Sequence, residues 1–197
     1  MKIKEIEIRM CRHEQASMKD SEMRDGKKSD LEFLVITFQT DEGLSASTFG
    51  FAGRGAAMAG EIANSIFKPF FLNKDPLYRE KHWHDYRMAD RWWNHAPIYS
   101  YGPFDINCWL LSSIKAEQPL YKYLGAYRDK VPIYGSSLVL NDAQDYANEA
   151  LEYKKRGFNA YKIHPPGKYE IDLEIHKLVR ETVGNEFKLM SDPVAPY

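Results

Sequence analysis

Three polar side chains in the last quarter of this 197-residue chain have the types and spacing for proton-transfer chemistry: Lys162, His164 and Asp192. Lys162 and His164 lie two residues apart in a short strand-like run, residues 159–164, that Pro165-Pro166-Gly167 closes. Side chains alternate across a strand, so Lys162 and His164 share one face while Tyr161 and Ile163 take the other. Asp192 ends a second strand-like run, residues 187–192. If the two strands run parallel as neighbours, about 4.8 Å apart, the carboxylate falls beside the two basic groups at their C-terminal edge. That edge carries the active site in parallel α/β folds. A carboxylate beside two bases suits metal-assisted proton abstraction, in which a metal holds a substrate carboxylate and Lys or His removes the α-proton. An unperturbed imidazole, with a pKa of about 6.5, is largely neutral at pH 7 and is the readier acceptor. A plainer reading also stands. Lys162 and His164 can be solvent-facing residues of an edge strand, with Asp192 starting a turn at Pro193, and spacing alone leaves both open.

The elements that must position these residues follow from pattern. Residues 131–139 are strand-like, and Asn141 with Gln144 resembles a capping box opening a helix. Tyr146, Ala147, Ala150 and Leu151 mark that helix's apolar face, and Gly157 stands where a C-cap belongs. Ile171, Ile175, Leu178 and Val179 define a second helix, with Gly184 after it. Strand, helix, strand, helix, strand is the pattern of βαβ units on a parallel sheet. No helix follows the third strand before Tyr197, which reads as a segment of a longer or split protein. The alternative is a small open sheet attached to the preceding domain.

The earlier part of the chain has a different rhythm. Ile6 and Ile8 alternate with charged residues, residues 31–39 return to strand character, and Asp41-Glu42-Gly43 supplies a turn before residues 44–49. Three antiparallel strands are expected. Residues 12–30 between the first two are polar and read as a long exposed loop of the kind that forms lids. From Gly55, Met58, Ile62 and Ile66 recur at helical spacing, with Pro69 near the helix end. Further helices are expected over residues 77–93 and 103–116, the last apolar on most sides and so deeply buried. Strands followed by helices indicate an α+β domain. Trp83, Tyr86, Trp92, Trp93, Tyr99 and Tyr101 read as core packing rather than a carbohydrate platform.

Composition excludes several classes. Lys plus Arg total 27 against 28 acidic residues, so nothing points to nucleic acid or an anionic membrane. Two cysteines, Cys11 and Cys108, cannot build a disulfide framework, and Cys108 in an apolar run reads as a small buried side chain. The first ten residues look like a strand rather than a signal peptide, and no apolar run is long enough to span a bilayer. A soluble cytoplasmic protein is expected.

Longer motifs carry a resemblance. Residues 36–44, where a strand meets an acidic-Gly turn, resemble the capping-domain hairpin of mandelate racemase-like enzymes of the enolase superfamily. Residues 66–76 are similar to that family's helix end and Gly-Lys-Asp-Pro type turn. Residues 104–111, followed by Gln118-Pro119-Leu120-Tyr121-Lys122-Tyr123-Leu124-Gly125, resemble its long helix and the lead into the barrel. Val131-Pro132-Ile133-Tyr134 looks like the first barrel strand, and the matches run in family order over nearly the whole chain.

The resemblance implies an α+β capping domain over residues 1–130, followed from 131 to 197 by the first βα units of a (β/α)8 TIM-like barrel, incomplete here. It implies Mg2+ as cofactor, Asp192 as a metal ligand, and Lys162 and His164 as the catalytic pair. Here His164 stands in place of the commoner second lysine, and Pro193-Val194 replaces an Asp-x-Asn pattern. It assigns substrate recognition to the loop at 12–30 and to the turn containing Phe51 and Arg54. The implied activity is a lyase that dehydrates an acid sugar to a 2-keto-3-deoxy acid. A racemase or epimerase of a 2-hydroxy acid is the alternative, and a non-catalytic piece of a split protein a third. The partners implied are a small sugar acid or hydroxy acid, the remainder of the barrel in the same or a separate chain, and further copies in a homo-oligomer.

Overall fold

A computed structural model describes residues 1–13, 31–53, 55–91, 96–193 and 197, the side chains of residues 51–53 excepted. The described residues up to Tyr127 form one compact unit and those from Arg128 onward a second.

In the first unit, strands β1 (Ile3–His13), β2 (Leu31–Thr40) and β3 (Ser45–Gly53) form an antiparallel sheet in that order. Leu34, Ile36 and Phe38 alternate into the core. Ile3 and Ile6 are both buried although they are three residues apart, because the pairing shifts register between Ile3 and Glu5. Gly43, with φ of +81°, turns β2 into β3. Arg12 and His13 belong to β1 rather than to the expected loop, and Arg12 pairs with Glu32 at 3.1 Å. The rest of that loop lies outside the described residues.

The helical layer departs from expectation in several places. The first helical run is α1 (Ala56–Ile62), a π-helical turn over Ala63–Phe67, and α2 (Lys68–Phe71). Its buried face is Ala56, Ala59, Ala63, Phe67 and Phe71, while Met58 is 74% exposed. Small side chains let this helix approach Leu34 of the sheet closely, so alanines take the core face that the larger residues suggested. Helix α3 spans Arg79–Ala89 and α4 spans Ile98–Lys115. Pro103 lies inside α4 rather than at its start, and Ile106 and Ile114 are exposed, so α4 buries one face only. That face carries Phe104, Cys108 and Leu111. Phe104 stacks on Phe71 with ring centroids 5.4 Å apart, and Tyr86 stacks on Tyr101 at 4.6 Å. Burial holds the Cys108 thiol far above its ordinary pKa, as a packing residue requires.

A short helix α5 (Leu120–Tyr123) ends at Gly125. In the second unit, strands β4 (Gly135–Ser136), β5 (Ala160–Ile163) and β6 (Lys188–Ser191) form a parallel sheet in that order. Helices α6 (Ala143–Lys155) and α7 (Tyr169–Val183) cover one face through Tyr146, Ala147, Ala150, Ile175, Val179 and Val183. The strand expected over 131–139 is reduced to Gly135–Ser136, with Val131, Ile133 and Tyr134 exposed. Gly135 is needed there because a Cβ would stand 2.5 Å from the Tyr153 ring. The α6 cap is one residue later than expected: Asp142, not Asn141, accepts from the Asp145 amide. Gly157 and Gly184 close α6 and α7 at φ of +87° and +80°. Ile171 is exposed, and Asp172 takes a buried place in the first turn of α7. Among the described residues no helix is long and apolar enough to cross a membrane.

Candidate active site

Strand alternation decides the geometry. Tyr161 and Ile163 are fully buried under the helices, which turns Lys162 to the opposite face of β5. The backbone of β5 runs on past Ile163, where the Asp192 amide donates to the Ile163 carbonyl at 2.9 Å. That bond carries Asp192 to the same edge. Lys162 Nζ lies 3.1 Å from Asp192 Oδ2, and His164 Nε2 lies 3.4 Å from the same oxygen. All three side chains therefore meet at the C-terminal end of consecutive parallel strands. Donation of a hydrogen bond to Asp192 raises the Lys162 pKa above its ordinary value, so Lys162 stands as an ammonium. The pair is partly exposed, so solvent screens its attraction. A bound ligand can displace it at small cost.

Ser137, just past β4, and Tyr146 of α6, neither of which pattern alone marked as a site residue, orient His164. Its amide donates to the Ser137 hydroxyl at 2.9 Å, and its carbonyl accepts from the Tyr146 hydroxyl at 2.7 Å. Nδ1 lies 2.6 Å from the Ser137 carbonyl, which can only accept, so Nδ1 carries the proton. In the neutral ring that tautomer leaves the Nε2 lone pair facing Lys162 and Asp192. Tyr134 places its ring 5.8 Å from Lys162 Nζ. The available signal was Gly135-Ser136-Ser137, small polar residues ending the strand next to β5. Arg54 lies outside the described residues, as does the side chain of Phe51, whose backbone belongs to β3.

Asp192 is a hard oxygen donor at an open strand end. Mg2+ takes near-octahedral oxygen ligands, commonly one or two carboxylates with waters. Asp192 therefore fits as one ligand, but among the described residues no group of three or more His, Cys, Asp or Glu is placed to hold a metal. A cavity of about 660 Å3 opens at the other end of the strands, lined by Ile133, Phe158, Ala160 and Met190, away from these polar groups.

An antiparallel sheet with its own helical layer, followed by parallel βα units with polar residues at their C-terminal edge, defines a capping unit and the opening of a (β/α)8 barrel. No protein-family profile matches the chain. It is 29% identical over 98% of its length to a hydrophobic dipeptide epimerase of Enterococcus faecalis, covering 53% of that protein. The crystal structure of the Enterococcus faecalis dipeptide epimerase with Mg and the dipeptide L-Leu-L-Tyr superposes with a TM-score of 0.82 at 26% identity, over 97% of this chain and 53% of that one. An arabinonate dehydratase of Saccharolobus solfataricus is 29% identical over 73% of the chain and 42% of the relative. A D-glucarate dehydratase from Agrobacterium tumefaciens, crystallised with magnesium, matches with a TM-score of 0.78 at 25% identity, over 97% of this chain and 53% of that one. The homologues and structural neighbours of this chain are mandelate racemase-like enzymes of the enolase superfamily. The chain spans about half the length of the curated relatives it matches.

Proposed function

We propose that this chain supplies one wall of an active site that removes the proton α to a substrate carboxylate. The observation that carries this reading is the meeting of Lys162 Nζ and His164 Nε2 on one oxygen of Asp192 at the C-terminal strand edge. His164 takes the proton at Nε2, because its Nδ1 proton is committed to the Ser137 carbonyl. The Lys162 ammonium offsets the negative charge that develops on the enolate. Asp192 is one ligand for Mg2+, which would supply Lewis-acid polarisation of the substrate carboxylate. Any further protein ligands would come from outside the described residues.

From the enolate, we read the reaction as dehydration of an acid sugar. The 3-hydroxyl departs as water with a proton from a general acid, and the enol product tautomerises to a 2-keto-3-deoxy acid. The arabinonate and D-glucarate dehydratase relatives support this outcome. A second reading, reprotonation on the opposite face to give an epimer, is favoured by the dipeptide epimerase matched over nearly the whole chain. The intact protein should be incubated with Mg2+ and panels of acid sugars and dipeptides in D2O, followed by proton NMR. Loss of the α-proton signal with appearance of a 2-keto-3-deoxy product supports dehydration. Inversion with deuterium incorporation supports epimerisation. Absence of α-exchange in every substrate of both panels counts against the shared step.

A further inference from the structure

In the first unit, a groove of about 400 Å3 opens between α3 and α4 and takes no part in the site above. Arg79, Glu80 and Trp83 line it from α3, and Tyr101, Asp105 and Trp109 from α4. Its charges are unevenly committed. The Arg79 guanidinium lies 3.7 Å from the Trp109 ring centroid and donates to the Ser112 hydroxyl at 2.5 Å. Among the described residues, neither Asp105 nor Glu80 has an ion-pair partner within contact distance. Burial pushes the Asp105 carboxyl above its ordinary pKa, against a hydrogen bond from the Trp109 indole and the charge of Arg79.

Two further observations point to an occupant. Tyr101 is 3% exposed, yet its buried hydroxyl has no hydrogen-bond partner. A buried polar group left unsatisfied is costly. Gly102 also lines the groove, and a Cβ built there would meet nothing within 4 Å. A helix-interior glycine costs stability relative to alanine, so empty space beside it has no packing reason in the chain itself. Trp83 leaves 37% of its surface exposed at the same groove.

We propose that the groove between α3 and α4 binds a small organic cation, an alkylammonium group held by Asp105 and Glu80 against the Trp83 indole, with the Tyr101 hydroxyl as a polar partner. Two carboxylates against one guanidinium leave the lining net negative, which disfavours an anion although the buried Arg79 Nε has no hydrogen-bond partner. An aromatic face beside them attracts a cation through the ring quadrupole. The groove lies within the first unit, so this site is independent of Lys162, His164 and Asp192.

The test is a titration of the full chain with choline, followed by tryptophan fluorescence, against the uncharged carbon isostere dimethylbutanol. Choline should give a saturable change, and the isostere should bind about tenfold more weakly or worse. Asp105→Asn should weaken choline binding by about tenfold. Gly102→Leu should abolish it, with far-UV circular dichroism unchanged because leucine is a better helix former than glycine. Absence of a saturable response in the folded wild-type chain overturns the proposal. So does equal binding of choline and its isostere, or a response unchanged by Asp105→Asn and Gly102→Leu.

Discussion

His164 is held through its amide, its carbonyl and its Nδ1, and the partners of all three atoms come from Ser137 and Tyr146. That anchoring is what gives a single imidazole a defined face toward Asp192. His164→Asn in the intact protein should lower α-proton exchange by about 100-fold to 10,000-fold while Mg2+ affinity, read by calorimetry, stays near wild type. Asp192→Asn should do the reverse at the metal, weakening Mg2+ itself. Full exchange in His164→Asn would move the base to Lys162 or to residues outside those described. Ser137 gives a second prediction. Its side chain is almost fully buried and accepts the His164 amide. Ser137→Ala leaves that amide unsatisfied and should cost about 1–3 kcal/mol in denaturant unfolding. The same substitution should lower α-proton exchange, read by deuterium incorporation, because the ring loses its fixed backbone.

At the scale of elements, α3 shows how one side chain ties a helix to its neighbours. His82 is buried, and its Nε2 hydrogen-bonds the Asp75 carbonyl at 2.7 Å across the turn that starts α3. Burial lowers the His82 pKa below its ordinary value. The unfolded chain therefore takes up a proton at about pH 6.5 that the folded state resists, so the unfolded state binds more protons in that window. Stability is full above about pH 6.5 and falls as pH drops below it, through the lowered folded value. Urea midpoints of the first unit, measured from pH 7.5 to about pH 5, should decline, and His82→Gln should flatten that decline.

Elements were legible in the sequence where one pattern dominated. The antiparallel opening strands, the glycine ends of α6 and α7 and the Lys162, His164, Asp192 edge followed from alternation and turn chemistry. Where two physical signals competed, pattern misled. Met58 is as apolar as its neighbours, yet the core needed alanines so that α1 could approach the sheet. Pro103 suggested a helix start, but it lies inside the first turns of α4. Asn141 and Asp142 both suit a cap, and only the backbone shows that Asp142 bonds to Asp145. Ser137 and Tyr146 were invisible as site residues, because their roles depend on which backbone atoms β4 and α6 bring to His164.

At the scale of the molecule, the chain has two cores of different completeness. The first unit buries a continuous aromatic cluster in which Phe67, Phe71 and Phe104 meet at ring centroid distances of 5.2 and 5.4 Å. The second has helices on one face of its parallel sheet, and such sheets are ordinarily covered on both faces. Among the described residues, β4 and β6 each pair on one edge only, leaving open ladders. The approach to β4 exposes Val131 at 69% and Ile133 at 68%, beside the apolar cavity that Phe158 and Met190 also line. This surface is where a longer protein would place further strands, so the 197-residue chain by itself should be adhesive. It should bind the dye ANS and sediment with a concentration-dependent average mass. Joint substitution Val131→Lys and Ile133→Lys should reduce both signals, because charge on an open edge blocks pairing. The unfolding midpoint of the first unit, which these residues do not belong to, should stay unchanged. If the unsubstituted chain is monomeric over the same concentrations and binds no dye, residues outside those described cover the sheet, and the open-edge reading is wrong.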